Sequence, residues 1–287
     1  MVSEMSDTVS LRLGYSPCPN DTYIFNALVH GRIPLSQCKI AAVQLEDVET
    51  LNEWALEKRL DITKLSFHAF AHVQEHYTLL RSGAALGRGC GPLLITGSRS
   101  KPARLADWKI AVPGKYTTAA LLLRLFQPAC RHLVVMRFDQ IMTALAAGEV
   151  DAGVIIHESR FTYQDLGFVC LQDLGEWWEQ TTGLPIPLGC IAAKKSIPAA
   201  VKEEFDRAIA ASIHWADTHY EEGWGYIRTH AQEMDIQVMR SHIALYVNEF
   251  SKDIGREGAL AIGELFKRGA EIGLFPVHAD NGPAESV

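Results

Sequence analysis

A histidine in the middle of the chain combines a reactive side chain with a position that suits catalysis. His157 follows an apolar run, residues 152–156, and precedes Glu158 and Arg160. Open α/β sheets bind ligands at the C-terminal ends of their strands, and imidazole titrates near neutral pH. We therefore predict that His157 is a general base, although a lone histidine is often structural.

Two short segments have the composition of a strand–turn–helix junction that receives an anion. Residues 16–22 read SPCPNDT and residues 113–119 read PGKYTTA. Asn, Asp, Ser and Thr favour helix starts, where free backbone N–H groups and the helix dipole attract a carboxylate. Either segment alone could be a helix cap without a ligand. One such segment in each predicted lobe favours a cleft that accepts an anion.

Lys64 closes a mostly apolar predicted strand in the run Lys64-Leu65-Ser66. Its long side chain can extend to solvent or meet an acid inside a cleft. For a lysine considered alone, the solvent position is the more common one, so this run does not by itself indicate a site.

Three histidines at four-residue spacing resemble a metal site. His68, His72 and His76, with Glu75 beside them, would follow one stripe of a helix. The first and last would lie about 12 Å apart along the helix axis, so one ion cannot easily bind all three, and the spacing is not that of the HEXXH zinc motif. We predict surface histidines here and no metal site.

Cys18 and the pair Trp177-Trp178 each allow two interpretations. A thiol at a helix start can be an activated nucleophile, but the flanking prolines suit a buried, inert thiol, which we favour. The tryptophans would either line the site of an aromatic ligand or pack between lobes. The chain has no phosphate-binding loop, no GXGXXG motif and no GXSXG motif.

The elements that must position these residues alternate between strand and helix over the first two thirds of the chain, as in a mostly parallel sheet with helices on its faces. Strands are predicted at residues 11–15, 40–45, 61–65, 109–112, 133–138 and 152–156. The helices between them are predicted at residues 21–30, 48–58, 66–75, 118–126 and 139–147. Further helices are predicted at residues 198–219, 223–230, 236–250 and 257–269.

Two apolar stretches, residues 92–96 and 187–193, are predicted to run between two lobes. Residues 96–189 would then form a smaller inserted lobe, and residues 1–95 plus 190–287 would form the larger, discontinuous one. This is the plan of hinged binding proteins, which hold a ligand in the cleft between their lobes.

Composition limits the possible partners. The 287 residues are 48% hydrophobic and carry a formal net charge of −7, which is typical of a globular protein and gives no general attraction to nucleic acid or anionic lipid. The first ten residues lack the apolar core of a secretion signal, and no apolar run has the length of a membrane span. The six cysteines are scattered, so we expect free thiols and a cytoplasmic location.

Six motifs occur in an order that resembles one known family. They are SPCPNDT at residues 16–22, Lys64-Leu65-Ser66, ALGRGCGPL at residues 85–93, Thr117-Thr118, HESRFTY at residues 157–163 and Trp177-Trp178. Each motif is weak alone. Together, from about residue 11 to residue 250, they resemble the 1,4-dihydroxy-6-naphthoate synthase family of the futalosine route to menaquinone, without a departure at the motif positions.

The resemblance implies an α/β fold of two lobes, similar to type II periplasmic binding proteins, with a ligand cleft between the lobes. It implies a lyase that converts cyclic dehypoxanthine futalosine to 1,4-dihydroxy-6-naphthoate and dihydroxyacetone, with His157 as the base. The substrate-binding residues expected on this basis and from the first helix start are Asn20, Asp21, Lys64, Leu65, Ser66, Thr117 and Thr118. We expect no cofactor and no metal.

The expected partner is a small-molecule substrate, with no nucleic acid, membrane or obligatory protein partner. Two other functions stay open at this point. One is a non-catalytic cytoplasmic binder of small aromatic carboxylates, and the other is the related chorismate dehydratase, which shares the fold. The SPCPNDT and HESRF motifs point away from the dehydratase, and a receptor for a transporter should carry a secretion signal.

Overall fold

The computed structural model of the chain describes residues 8–97, 103–231 and 235–275. Within these ranges the strands form two separate sheets, and helices pack against both. We call the six-stranded sheet with its helices the first lobe and the five-stranded sheet with its helices the second lobe. No helix in the described ranges is both long enough and apolar enough to cross a membrane.

The sheet of the first lobe draws its strands from both sides of the inserted segment. Its strands are β1 (Val9–Tyr15), β2 (Cys38–Leu45), β3 (Ile62–Ser66), β4 (Tyr77–Leu79), β5 (Ala85–Gly87) and β11 (Ile186–Lys194). Strand β1 pairs in parallel with β2 and β3, whereas β11 is antiparallel to β3, β4 and β5. The helices that follow the first three strands are α1 (Pro19–Val29), α2 (Val48–Leu56) and α3 (Phe67–Val73).

The sheet of the second lobe is formed by the middle of the chain. Its strands are β6 (Leu93–Thr96), β7 (Ile110–Val112), β8 (Leu133–Val135), β9 (Ala152–Ile155) and β10 (Val169–Asp173). Strand β7 is parallel to β8 and β9, whereas β6 is antiparallel to β9 and β10. The α-helices of this lobe are α4 (Thr118–Phe126), α5 (Ile141–Ala147), α6 (Ser159–Thr162) and α7 (Leu174–Thr182), with short 3-10 helices at Leu105–Asp107 and Phe138–Gln140.

After β11 the described chain is helical and returns to the first lobe. The helices are α8 (Ala199–Thr218), α9 (Tyr220–His230), α10 (Ile236–Tyr246), α11 (Glu249–Lys252) and α12 (Gly255–Glu271). The apolar face of α8, with Phe205, Ile209 and Ile213, packs into one buried cluster with Leu11 and Leu13 of β1. The C-terminal helices therefore complete the core that the first strands begin.

The structure corrects two expectations about these elements. The sheets are mixed rather than mostly parallel. A parallel neighbour is normally reached through a helical crossover within one sheet, whereas the chain enters β6 and β11 from the other sheet. The helix expected over 236–250 is two helices, since α10 ends at Tyr246 and Asn248 caps α11 through a reciprocal bond with Ser251.

The segments predicted to run between the lobes are strands that stay within one sheet. Strand β6 pairs only inside the second sheet and β11 only inside the first, so the crossings lie in the chain that precedes each of them. The division into residues 1–95 plus 190–287 and residues 96–189 places its boundaries inside these two strands, and it stays a prediction.

The first crossing, between β5 and β6, touches the start of α7 through two glycines. A Cβ atom at Gly91 would lie 2.3 Å from the backbone nitrogen and Cα of Gly175, and a Cβ at Gly175 would lie 2.7 Å from the Cα of Gly91. Arg160 joins the same crossing, since it donates to the carbonyl oxygen of Gly91 and pairs with Asp173 at 2.6 Å. Any side chain larger than hydrogen would force the two backbones apart.

We predict that Gly91→Ala destabilises the protein by about 1–3 kcal/mol, because the added methyl group overpacks a contact between two backbones. Chemical denaturation measures this as a lower free energy of unfolding. The matched control is Gly225→Ala in α9, where the added Cβ meets no described atom within 4 Å and better helix propensity should raise stability by up to about 1 kcal/mol. Equal stability of Gly91→Ala and the wild type would contradict the contact.

Candidate active site

A pocket of about 640 Å³, partly open to solvent, lies between the two lobes. Strand and helix ends of the first lobe form one side, and the start of α4 with the end of β9 form the other. Every site residue expected from the sequence lines this pocket, namely Asn20, Asp21, Lys64, Leu65, Ser66, Thr117, Thr118 and His157. Residues from four separate motifs therefore meet at one place, and their individual roles remain predictions.

Asp21 forms the buried polar floor of the pocket. It is 2% exposed, and its carboxylate pairs with the ammonium group of Lys64 at 2.9 Å. The hydroxyl and backbone N–H of Ser16 and the side-chain amide of Asn20 also donate to it. Lys64 thus meets an acid inside the cleft instead of extending to solvent, as a buried charge requires.

The start of α4 offers hydrogen-bond donors to the pocket from its backbone. The hydroxyl of Thr117 caps the helix, since it accepts from the N–H of Ala120 and donates to the carbonyl of Gly114. The N–H groups of Thr118 and Ala119, in the first turn, have no acceptor among the described residues. Unpaired N–H groups at the positive end of a helix are suited to a carboxylate.

Hydrogen bonds across the cleft hold α4 against the first lobe. Glu49 of α2 accepts from the backbone N–H of Tyr116 at 3.0 Å, and Nδ1 of His68 donates to the carbonyl of Thr117 at 3.1 Å. The hydroxyl of Thr118 donates to the carbonyl of Leu188 in β11 at 2.6 Å. The two lobes are therefore in contact beside the pocket, and hydrogen bonds to the first lobe hold the start of α4 in place.

His157 occupies an unusual backbone conformation at the end of β9. Its φ angle is +56°, in the left-handed region, which is uncommon for residues other than glycine although Asn, Asp and His are enriched there. The centroid of its ring lies 5.0 Å from that of Phe138, in a tilted edge-type contact, and 5.9 Å from that of His242, whose ring is parallel to it. Strained backbone of this kind is concentrated at functional sites, and here it turns the imidazole toward the pocket.

The environment of His157 keeps its imidazole neutral at neutral pH. Burial lowers the pKa of His157 below its ordinary value, and this outweighs the nearby carboxylates of Glu158 and Asp21, which raise it. No described residue forms a hydrogen bond with its ring nitrogens. A neutral imidazole with a free nitrogen facing a pocket can accept a proton from a bound ligand.

Cys18, His157 and Glu158 have donor atoms within 4.8 Å of one another, and they are the only such group of potential metal ligands among the described residues. A metal ligand would be the thiolate. Burial, and then the negative charge of Glu158, raises the pKa of the Cys18 thiol well above its ordinary value. We therefore assign no metal to this group and regard Cys18 as a buried thiol.

The sequence predicted that His68, His72 and His76 lie at the surface, but the first of them is buried. His68 is 3% exposed, because it holds the carbonyl of Thr117 across the cleft, and its ring packs 5.4 Å from that of His72. Only His76 is exposed.

The two tryptophans lie away from the pocket. Trp178 is buried and donates to the carbonyl of Pro185, and Trp177 packs on Phe126.

Sequence reasoning missed several residues of the site. Val48, Cys90, Pro92, Ile156, Leu188 and Tyr246 also line the pocket. His242 lies directly behind His157 and is fully buried. His242 and Tyr246 are four residues apart in α10, which indicates a shared helix face, but no pattern in the sequence connects that face with a strand end eighty residues earlier.

Comparison with known proteins identifies the family of the chain. Residues 11–271 match the family described as menaquinone biosynthesis. The chain belongs to this family. It is 50% identical over 265 residues to a curated protein of Thermus thermophilus named 1,4-dihydroxy-6-naphtoate synthase, covering 92% of this chain and 96% of that protein. A Streptomyces coelicolor protein of the same name is 45% identical, with 93% and 95% covered.

Solved structures of other proteins confirm the two-lobed fold expected for the family. A protein of Archaeoglobus fulgidus superposes with a TM-score of 0.87 at 34% identity, covering 93% of this chain and 98% of that chain. The periplasmic aliphatic sulphonate binding protein of Escherichia coli superposes at 0.64 with 16% identity, covering 93% and 89%. The chain thus has the two-lobed α/β fold of periplasmic binding proteins, and the names of its two curated relatives support an enzymatic role in menaquinone biosynthesis.

The position of His68 predicts a loss of stability in acid. Burial lowers its pKa to about 4, whereas an unfolded histidine titrates near 6.5. Because the folded pKa is the lower one, the stability that neutral His68 contributes is present above about pH 6.5 and is lost as pH falls toward 4. The unfolded state gains on the order of 3 kcal/mol over this range.

The test compares the free energy of unfolding of the wild type with that of His68→Asn between about pH 7 and pH 4. The amide can still donate to Thr117 but does not titrate, so the stability of the wild type should fall more steeply than that of the variant. His76→Asn, at an exposed histidine of the same segment, should leave the slope unchanged. A constant difference between wild type and His68→Asn would contradict the assignment.

Proposed function

We propose that this protein converts cyclic dehypoxanthine futalosine to 1,4-dihydroxy-6-naphthoate and dihydroxyacetone, with His157 as the general base. The observation that carries the proposal is the position of His157, whose free imidazole faces the same pocket as the unpaired N–H groups of α4. One pocket thus offers a proton acceptor and an anion site. The names of the two curated relatives, each covered over more than nine tenths of its length, support this reaction.

The start of α4 is the proposed site of the substrate carboxylate. The N–H groups of Thr118 and Ala119 can donate to its two oxygens, and the helix dipole adds a favourable field. Because the hydroxyls of Thr117 and Thr118 are already bonded to protein atoms, the backbone rather than the side chains supplies the donors. The two threonines hold the helix start in place, which is a more indirect role than the sequence suggested.

Apolar side chains that line the same pocket as the helix start and the base suit the flat ring system of the substrate. The walls there include Val48, Leu65, Pro92, Ile156 and Leu188. A bicyclic ring buried against them loses unfavourable contact with water, while its carboxylate stays on the donors of α4. The sugar-derived ring at the other end of the substrate would then lie toward His157.

Lys64 and Ser16 are proposed to hold the oxygens of the sugar-derived ring. The ammonium group of Lys64 has three N–H donors, of which one meets Asp21 and one meets the carbonyl of Gly83. The remaining donor is available to the pocket that Lys64 lines. The hydroxyl oxygen of Ser16 donates to Asp21 and can still accept from a substrate hydroxyl.

The reaction requires a proton to leave a hydroxyl or an activated carbon of the sugar-derived ring, and neutral His157 is placed to take it. As the carbon–carbon bond breaks, its electron pair passes into the bicyclic ring, which becomes aromatic when one of its oxygens receives a proton. The proton on His157 can be returned in that step, so protons and electrons balance. A positioned base contributes roughly 10²–10⁴ to the rate.

The direct test is to incubate the purified chain with cyclic dehypoxanthine futalosine and to follow the absorbance of the naphthoate together with the release of dihydroxyacetone. We expect both products in equal amounts. Binding of the product without any turnover would favour a non-catalytic binder. Consumption of chorismate in a parallel assay would favour the dehydratase, and either result would overturn the proposal.

Replacement of the base by asparagine should remove catalysis and retain binding. Asparagine tolerates the left-handed backbone of residue 157, so His157→Asn should fold, lose a factor of roughly 10²–10⁴ in kcat and bind 1,4-dihydroxy-6-naphthoate with a similar Kd by calorimetry. His214→Asn, at an exposed histidine of α8, serves as the control with unchanged kcat. Turnover of His157→Asn close to that of the wild type would show that His157 is not the base.

A further inference from the structure

Two buried polar atoms near His157 lie close to each other, and neither forms a hydrogen bond with a described residue. Nδ1 of His242 and Oε2 of Glu158 lie 3.7 Å apart, and neither has a hydrogen-bond partner among the described residues. His242 has no exposed surface and Glu158 is 9% exposed. Since buried polar groups are nearly always hydrogen-bonded, this pair needs a physical explanation.

The contacts of Asn20 determine which nitrogen of His242 carries hydrogen. The side-chain amide of Asn20 donates to Oδ1 of Asp21 at 2.9 Å, because an ionised carboxylate only accepts. The oxygen of Asn20 therefore faces Nε2 of His242, at 3.0 Å, and Nε2 must be the donor. In a neutral imidazole the other nitrogen, Nδ1, then presents a lone pair.

Nδ1 of His242 and Oε2 of Glu158 are therefore both hydrogen-bond acceptors, and a hydrogen bond between them needs one additional proton. Burial lowers the pKa of His242 well below its ordinary value, so the ring does not take a second hydrogen by itself. An ionised Glu158 would place an acceptor opposite the lone pair of Nδ1 in a space closed to water. A single proton between the two atoms satisfies both, after an approach of roughly 0.5–1 Å to hydrogen-bond distance.

We propose that Glu158 and His242 share one proton, and that this sharing removes a negative charge that would favour the protonated form of the neighbouring base, His157. The carboxylate of Glu158 lies within 4.8 Å of a ring nitrogen of His157. An uncompensated negative charge at that distance would favour the protonated form of His157, which cannot accept a proton. His242 is thus a positioning residue that acts through His157, and the inference rests on the proposed role of His157 as the base.

The other charged groups near His157 already have partners. Asp21 of α1 and Lys64 of β3 form an ion pair at 2.9 Å. Asp47 caps α2 and accepts from the N–H groups of Glu49 and Thr50. Cys18 is a neutral thiol, since burial raises its pKa, and the rings in contact with the imidazole are those of Phe138 and His242. Among the charged groups that act on His157, Glu158 is the one that most favours the protonated imidazole.

The test is an NMR titration of protein labelled with ¹³C and ¹⁵N in its histidines, which needs no substrate. The signals of His157 and His242 are assigned by their loss in His157→Asn and His242→Phe. Three variants are compared with the wild type: His242→Phe, Glu158→Gln and the double variant. Phenylalanine keeps an aromatic ring but removes both Nδ1 and the Nε2 that donates to Asn20, whereas glutamine supplies an uncharged N–H donor to Nδ1 in place of the shared proton.

We expect the titration midpoint of His157 to rise by at least about one pH unit in His242→Phe. The midpoint should not rise in Glu158→Gln or in the double variant, because glutamine at position 158 carries no negative charge that could favour the protonated form of His157. A merely structural role of His242 would move the midpoint equally in the single and double variants. An unchanged midpoint in His242→Phe, or a rise that persists in the double variant, would overturn the proposal.

A measurement on the wild type keeps the proposal falsifiable if a variant fails to fold. The ¹⁵N shifts of His242 should show hydrogen on Nε2 and a hydrogen-bonded Nδ1. Hydrogen on Nδ1 with a bare Nε2 would contradict the shared proton. Because none of these readouts depends on turnover, their failure would leave the lyase reaction standing, and absence of lyase activity would leave the titration result intact.

Discussion

The buried carboxylate of Asp21 is the interaction on which the rest of the site depends. Loss of Lys64, its partner, would leave an uncompensated buried charge, at a cost of about 3–5 kcal/mol, so the ion pair fixes the end of β3 against the start of α1. The same carboxylate orients the amide of Asn20, which sets the tautomer of His242. The geometry around His157 is thus traced, through His242 and Asn20, to the ion pair between Asp21 and Lys64.

The acidic composition of the chain and the anion site of the pocket are compatible because they act over different distances. A net charge of −7 is spread over a surface where salt screens it within about 10 Å. In the pocket, the negative charge of Asp21 is paired with Lys64, and two N–H groups in the first turn of α4 have no acceptor among the described residues. The proposed anion site therefore depends on a local electrostatic arrangement and not on the net charge of the chain.

The sequence predicted the parts of the fold that depend on local pattern. Strand–helix alternation located β1 to β3 and β7 to β9, and the position of His157 after an apolar run indicated the edge of a sheet. The direction of β11 could not be predicted, because it depends on how the chain returns from the second lobe. The environment of His68 was also missed, since its burial comes from contact with Thr117, which lies 49 residues away in the chain.

A crystal structure of the protein with 1,4-dihydroxy-6-naphthoate bound would test the proposed arrangement of the cleft most directly. We predict the carboxylate on the N–H groups of Thr118 and Ala119 at 2.7–3.2 Å, the ring against Leu65 and Ile156, and a ring hydroxyl directed toward His157. A product bound outside this pocket, or bound with its carboxylate beside Glu158 and its ring remote from His157, would contradict it.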